Sequence, residues 1–202
     1  RSIPITNRKK PMTFIPETYE VPSSGGQYIN KLDSGDNRFR IMSECLIGWE
    51  YWTKTDDGKP KSLIVRSEKE IPKEIPRGGM DGYKHVWAFV VWDYKTNQVK
   101  ILKITQPGIQ QDILTNVRNP KWGDPDQYDT LIHKSGEGKL TKYKVTFDPK
   151  EPIDEGIVQL VKDMHINLSA MFEDKDPFTN TYEEKVDVDV IEKEFEEAFG
   201  IK

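Results

Sequence analysis

The stretch from His85 to Arg118, HVWAFVVWDYKTNQVKILKITQPGIQQDILTNVR, constrains this chain more than any other. Lys84 to Asp93 is dense in Val, Trp and Phe, residues that suit a pleated, half-buried surface. Tyr94 to Asn97 is polar and turn-like, and Gln98 to Thr105 alternates apolar and basic residues. Pro107 and Gly108 then break the strand pattern, and Ile109, Ile113, Leu114 and Val117 recur at helical spacing. The reading is a hairpin that feeds directly into a helix.

The flanking segments add three strands. Arg38 to Trp52, RFRIMSECLIGWEYW, reads as one long strand, with Gly48 as the point where it bends. Thr53 to Met80 reads as a long connection containing a short strand at LIVR; a connection of that length is usually functional or mobile. After the Pro/Gly-rich RNPKWGDPDQY come Asp129–Lys134 and Lys139–Phe147, strands joined by a turn at Ser135–Gly138. Strand, strand, strand, helix, strand, strand, with a long bent first strand, predicts a mainly β fold, the five-stranded Greek-key OB-fold barrel. An α+β sheet with one helix on a face is the competing arrangement.

Charge divides the 202 residues into three parts. Residues 1–35 are rich in Pro, Gly, Ser and Asn, carry net +2 and read as an extended arm with a small basic cluster at Arg8-Lys9-Lys10. Residues 36–147 carry +4, and residues 148–202 carry −10. Within the last part, Pro152–His165 reads as a helix with Asp154 and Glu155 in its first turn. It completes a domain over 36–165. Residues 166–202 read as an acidic tail with a short amphipathic helix. Val190, Ile191, Phe195, Ala198 and Phe199 form its apolar stripe, a candidate partner-binding element.

Several function classes find no support. The single cysteine, Cys45, excludes a disulfide within the chain and a cysteine-based zinc site, and fits a reducing compartment. No apolar run approaches the ~18 residues of a membrane span, and the first residues lack the apolar core of a signal peptide. His85, His133 and His165 lie far apart with no metal-ligand spacing, and no Walker or GxSxG motif occurs. Asp124, Asp126 and Asp129 are the one local carboxylate group for metal chemistry, but WGDPDQYD reads as turns and caps. The expectation is no catalysis, no metal and no cofactor.

Binding fits better. Single-stranded nucleic acid is held by cations that follow the backbone and by rings on which bases stack, at roughly 1–3 kcal/mol per base. Rings on or beside the strands are Trp49, Tyr51, Trp52, Trp87, Trp92, Tyr94 and Trp122; cations are Arg38, Arg40, Lys84, Lys100, Lys103, Lys134, Lys142 and Lys144. Alternation assigns Lys142, Lys144 and Thr146 to one face of the last strand and Tyr143, Val145 and Phe147 to the other. It leaves the orientations of Trp87 and Trp92 undecided.

The strings HVWAFVVWDYKTNQVKILKITQPGIQQDI and NPKWGDPDQYDTLIHKSGEGKLTKYKV, preceded by FRIMSECLIGWEYW, resemble the OB-fold single-stranded DNA-binding proteins of tailed bacteriophages and their metagenomic relatives. The likeness spans about residues 38–150. It implies a non-catalytic, metal-free role in phage DNA replication and recombination, in the cytoplasm of the bacterial host. It also implies recruitment of replication proteins by an acidic, aromatic-bearing tail. EKEFEEAF, Glu192–Phe199, is similar to such a tail, although Gly200-Ile201-Lys202 follow it. The alternatives from the residues themselves are an OB-type protein-interaction module and a metal-dependent nuclease. Oligomeric state is not specified by any of these features.

Overall fold

A computed structural model describes residues 26–178. Its eight strands are β1 (Tyr28–Ile29), β2 (Gly35–Ile41), β3 (Leu46–Lys54), β4 (Pro60–Val65), β5 (Lys84–Asp93), β6 (Gln98–Ile104), β7 (Asp129–Ser135) and β8 (Lys142–Phe147). Helix α1 (Pro107–Val117) follows β6, and α2 (Glu155–Asp163) follows β8. All eight strands form one mixed sheet. The hairpin and helix read from His85–Arg118 are β5, β6 and α1.

The sheet is open, which corrects the expectation of a closed five-stranded barrel. The hydrogen-bonded path runs β1-β6-β5-β2-β7-β8, with β3 on β5 and β4 on β3. Closure requires the two ends of such a path to pair. Here the outer edge of β6 is taken by β1, which runs parallel to it with Tyr28 opposite Ile101 and Ile29 opposite Leu102. At the other end of the path, β8 packs against α1.

The long first strand is also divided. Residues 42–45 leave the sheet, separating β2 from β3, and both halves pair with β5: Ile41 opposite Val91, Leu46 opposite Ala88. Ser43 bridges the break, its hydroxyl accepting from the Val90 amide at 2.8 Å. The break falls here and not at Gly48, because Gly48 serves a close approach. A Cβ there would stand 2.8 Å from the Val65 carbonyl and 3.0 Å from the Phe172 ring.

Both faces of the sheet are covered. One packs Phe39, Ile41, Phe89, Val91, Leu102, Ile104 and Ile132 against Ile109 and Ile113 of α1. The other packs Val86, Ala88, Val90, Trp92, Val99 and Ile101 beneath Ile157 and Val161 of α2 and Met171, Phe172 and Phe178 beyond it. Burying both faces explains why β5 reads as an almost uninterrupted apolar run. α2 starts where Asp154 caps it, accepting from the Gly156 amide at 2.7 Å. The packed body therefore extends through residues 166–178. Among the described residues no helix is long and apolar enough to cross a membrane.

Candidate nucleic-acid interface

Four of the candidate cations are held by carboxylates of the protein. Asp129 is the centre of the largest group. Arg40, almost fully buried, donates from Nε to Asp129 at 2.6 Å and from Nη1 to the carbonyls of Asp126 and Glu151 at 3.0 and 2.9 Å. Arg38 donates from Nε to the other Asp129 oxygen at 2.8 Å and reaches Asp148 at 3.2 Å. The Tyr94 hydroxyl also donates to Asp129, at 2.9 Å, and burial followed by that carboxylate pushes its phenol up to about 12. Arg38 further lies over the Tyr94 ring, 4.8 Å from its centroid. Lys100 pairs with Asp93 at 3.1 Å and Lys103 with Glu50 at 2.5 Å, both largely buried. Lys134 donates to the Leu32 carbonyl at 2.9 Å. These groups tie β2 to β7 and β6 to β5 and β3, and bind the flanking loops to the sheet.

The rings divide in the same way. Tyr51 and Trp92 are buried in the body. Trp122 packs on Tyr128 and Phe147, at 5.3 and 6.1 Å between centroids. Trp87 packs against the α1 side of the sheet, and its Nε1 is buried with no hydrogen-bond partner among the described residues. Trp52 differs: it stands near the end of β3 with 56% of its surface exposed. Lys142 and Lys144 are also exposed, on the face that alternation assigned them. Asp124 and Asp126 lie exposed on a 3-10 turn before β7, while Asp129 points into its arginines. Among the described residues no group of three or more His, Cys, Asp or Glu is placed to hold a metal. Phe195 and Phe199 lie outside the described residues.

The structure adds a cluster that the sequence did not single out. β3 and β5 bring Trp49 opposite His85. Trp49 also meets Tyr83, with centroids 5.8 Å apart, and Arg77 places its guanidinium 5.3 Å from the Trp49 centroid. Gln110 of α1 fixes His85: its Nε2 donates to the carbonyls of Ile104 and His85, so its Oε1 accepts, and His85 Nδ1 carries the proton.

The connection from 66 to 83 that carries Arg77 and Tyr83 is built, not slack. Ser67 and Glu70 form a reciprocal capping box on a 3-10 turn. Gly78 and Gly79 take positive φ, and the Gly78 and Tyr83 amides close the loop on the carbonyls of Tyr83 and Pro76, each at 2.9 Å. A side chain at Gly82 would collide with the Gly78 carbonyl. Met80 projects from the loop tip, 93% exposed. The one legible sign was the length of the connection between β3 and β5. Lys54 of β3, Lys73 of the connection and Lys84 of β5 are exposed and make no ion pair among the described residues.

Elsewhere, a cleft of about 600 Å³ opens where β2 breaks from β3. Ile47, Trp87 and Phe89 of the sheet and Ile113, Leu114 and Val117 of α1 form its walls. Glu44, Asp124 and Asp126 line it as well, and among the described residues no cationic one does.

Compared with protein-family models, curated proteins and solved structures, the chain matches none.

Proposed function

We propose that this chain binds single-stranded DNA without sequence preference, and does so around the β3–β4 hairpin and the 66–83 loop. The observation that carries this reading is Trp52, a large flat ring left exposed on a strand. The Arg77–Trp49–Tyr83 cluster supplies further rings on the opposite face of β3. Lys54, Lys73 and Lys84 supply cations free of ion pairs among the described residues. Trp52 and Lys54, two apart on β3, share a face, and an exposed ring beside a cation free of ion pairs is what stacking and phosphate contact require. In this reading Arg40, Lys100 and Lys103 are structural, because each is committed to a carboxylate.

The fold belongs to the same proposal. β2 and β3 act as a divided first strand, and β5, β6, α1, β7 and β8 follow in the order of an OB-fold whose sheet has been left unclosed. The resemblance to phage single-stranded DNA-binding proteins supports, within this proposal, a role in phage DNA replication and recombination in the bacterial host's cytoplasm. Phe195 and Phe199 would then engage replication proteins.

Tryptophan emission titrated with oligo-dT at several salt concentrations tests the reading. The expected result is quenching, with affinity falling by about 0.7 log units per tenfold salt for each phosphate neutralised. Trp52→Ala should weaken binding by roughly 5- to 150-fold, the equivalent of 1–3 kcal/mol. Its unfolding midpoint should stay unchanged. No quenching and no retention on single-stranded DNA would sink the idea. The acidic, apolar cleft favours a second reading, a protein-interaction module, in which an apolar peptide and not a nucleic acid is the ligand.

A further inference from the structure

We propose that the cleft between α1 and the β2–β3 break is the seat of the chain's own N-terminal arm, residues 8–15, RKKPMTFI. Two properties of the cleft define its occupant. Its walls are apolar, so the occupant carries apolar side chains. All its charged lining residues, Glu44, Asp124 and Asp126, are acidic, so the occupant is cationic. Three carboxylates also repel phosphate, so the cleft is a poor seat for a nucleotide.

The arm meets both requirements. Residues 1–16 carry four cations, Arg1, Arg8, Lys9 and Lys10, and no acidic group. Met12, Phe14 and Ile15 follow the basic cluster at once, and an extended chain places Met12 and Phe14 on the same side. Pro11 disfavours a helix across this junction.

The arm is also rooted close by. Ile29 of β1 stands opposite Leu102 of β6, which stands opposite Phe89 of β5, a wall of the cleft. Two strand spacings, about 10 Å, separate Ile29 from Phe89 across the sheet. The ten residues between 15 and 26 reach up to about 35 Å when extended. That is comparable with the width of a domain of this size.

Zero-length carbodiimide crosslinking of the full chain, read by mass spectrometry, tests the proposal. The expected product joins Lys9 or Lys10 to Glu44, Asp124 or Asp126. The exposed Lys95–Asp33 ion pair, 2.6 Å apart, is the internal control that the chemistry has worked. Phe14→Asp should reduce the arm-to-cleft product at least tenfold and leave the control product unchanged. In a mixture of ¹⁴N- and ¹⁵N-labelled chains, the arm product should form within chains of one label. Formation of the control product without the arm product would overturn the proposal. So would arm lysines scattered over unrelated carboxylates, or mixed-label arm products.

Discussion

Asp129 shows how much of one side chain's work concerns stability. It accepts from Arg40, Arg38 and Tyr94 and is itself nearly inaccessible. Asp129→Ala would leave the Arg40 guanidinium buried and uncompensated, which costs about 3–5 kcal/mol. Urea denaturation should show that loss. The same site sets an alkaline limit. The Tyr94 phenol, ordinarily at 10.0, is pushed up to about 12 by burial first and Asp129 second. The folded protein therefore keeps a proton that the unfolded chain releases between those values. Its contribution is intact below pH 10 and is lost as pH rises towards about 12. The denaturation midpoint should fall across that window, and Tyr94→Phe should fall less. Arg40, Lys100 and Lys103 were legible in the sequence as strand cations, but their roles were not. The carboxylates that claim Arg40 and Lys103 lie 89 and 53 residues away along the chain. Only the pairing of distant strands reveals them.

At the scale of elements, local pattern carried far. β5, β6 and α1 were readable because β-branched and aromatic density, a polar turn and a Pro-Gly breaker all act within a few residues. The division of the first strand was not readable. Arg38–Trp52 has the composition of one strand, and what ends β2 is a tertiary contact between Ser43 and Val90. Gly48 was visible as an anomaly, yet its cause is also tertiary: β4 and Phe172 crowd the space a Cβ needs. Gly48→Ala should therefore destabilise by about 1–3 kcal/mol, as overpacking does, measurable as a lower denaturation midpoint. The Trp49–Tyr83–Arg77 cluster belongs here too. Its members come from β3 and from the far end of a long loop, so spacing in the sequence could not join them.

At the scale of the molecule, the sheet is covered on both faces and left unclosed at its ends. The β-rich class followed from the order of elements; closure did not, because it depends on which strand takes the edge of β6. That edge is held by a strand of two residues, with the Ile101 amide donating to the Gln27 carbonyl at 2.8 Å. So small a unit opens locally at little cost. The Ile101 amide should exchange with solvent faster than the β6 amides that donate to β5, by hydrogen-exchange mass spectrometry or NMR.

The same short strand has a consequence for timing. Tyr28 and its partner Ile101 are separated by 73 positions, 101 minus 28. On a ribosome adding 5–20 residues per second, β1 waits roughly 4–15 s for the strand it will join. β1 is thus made before β6 and seated only once β6 has emerged.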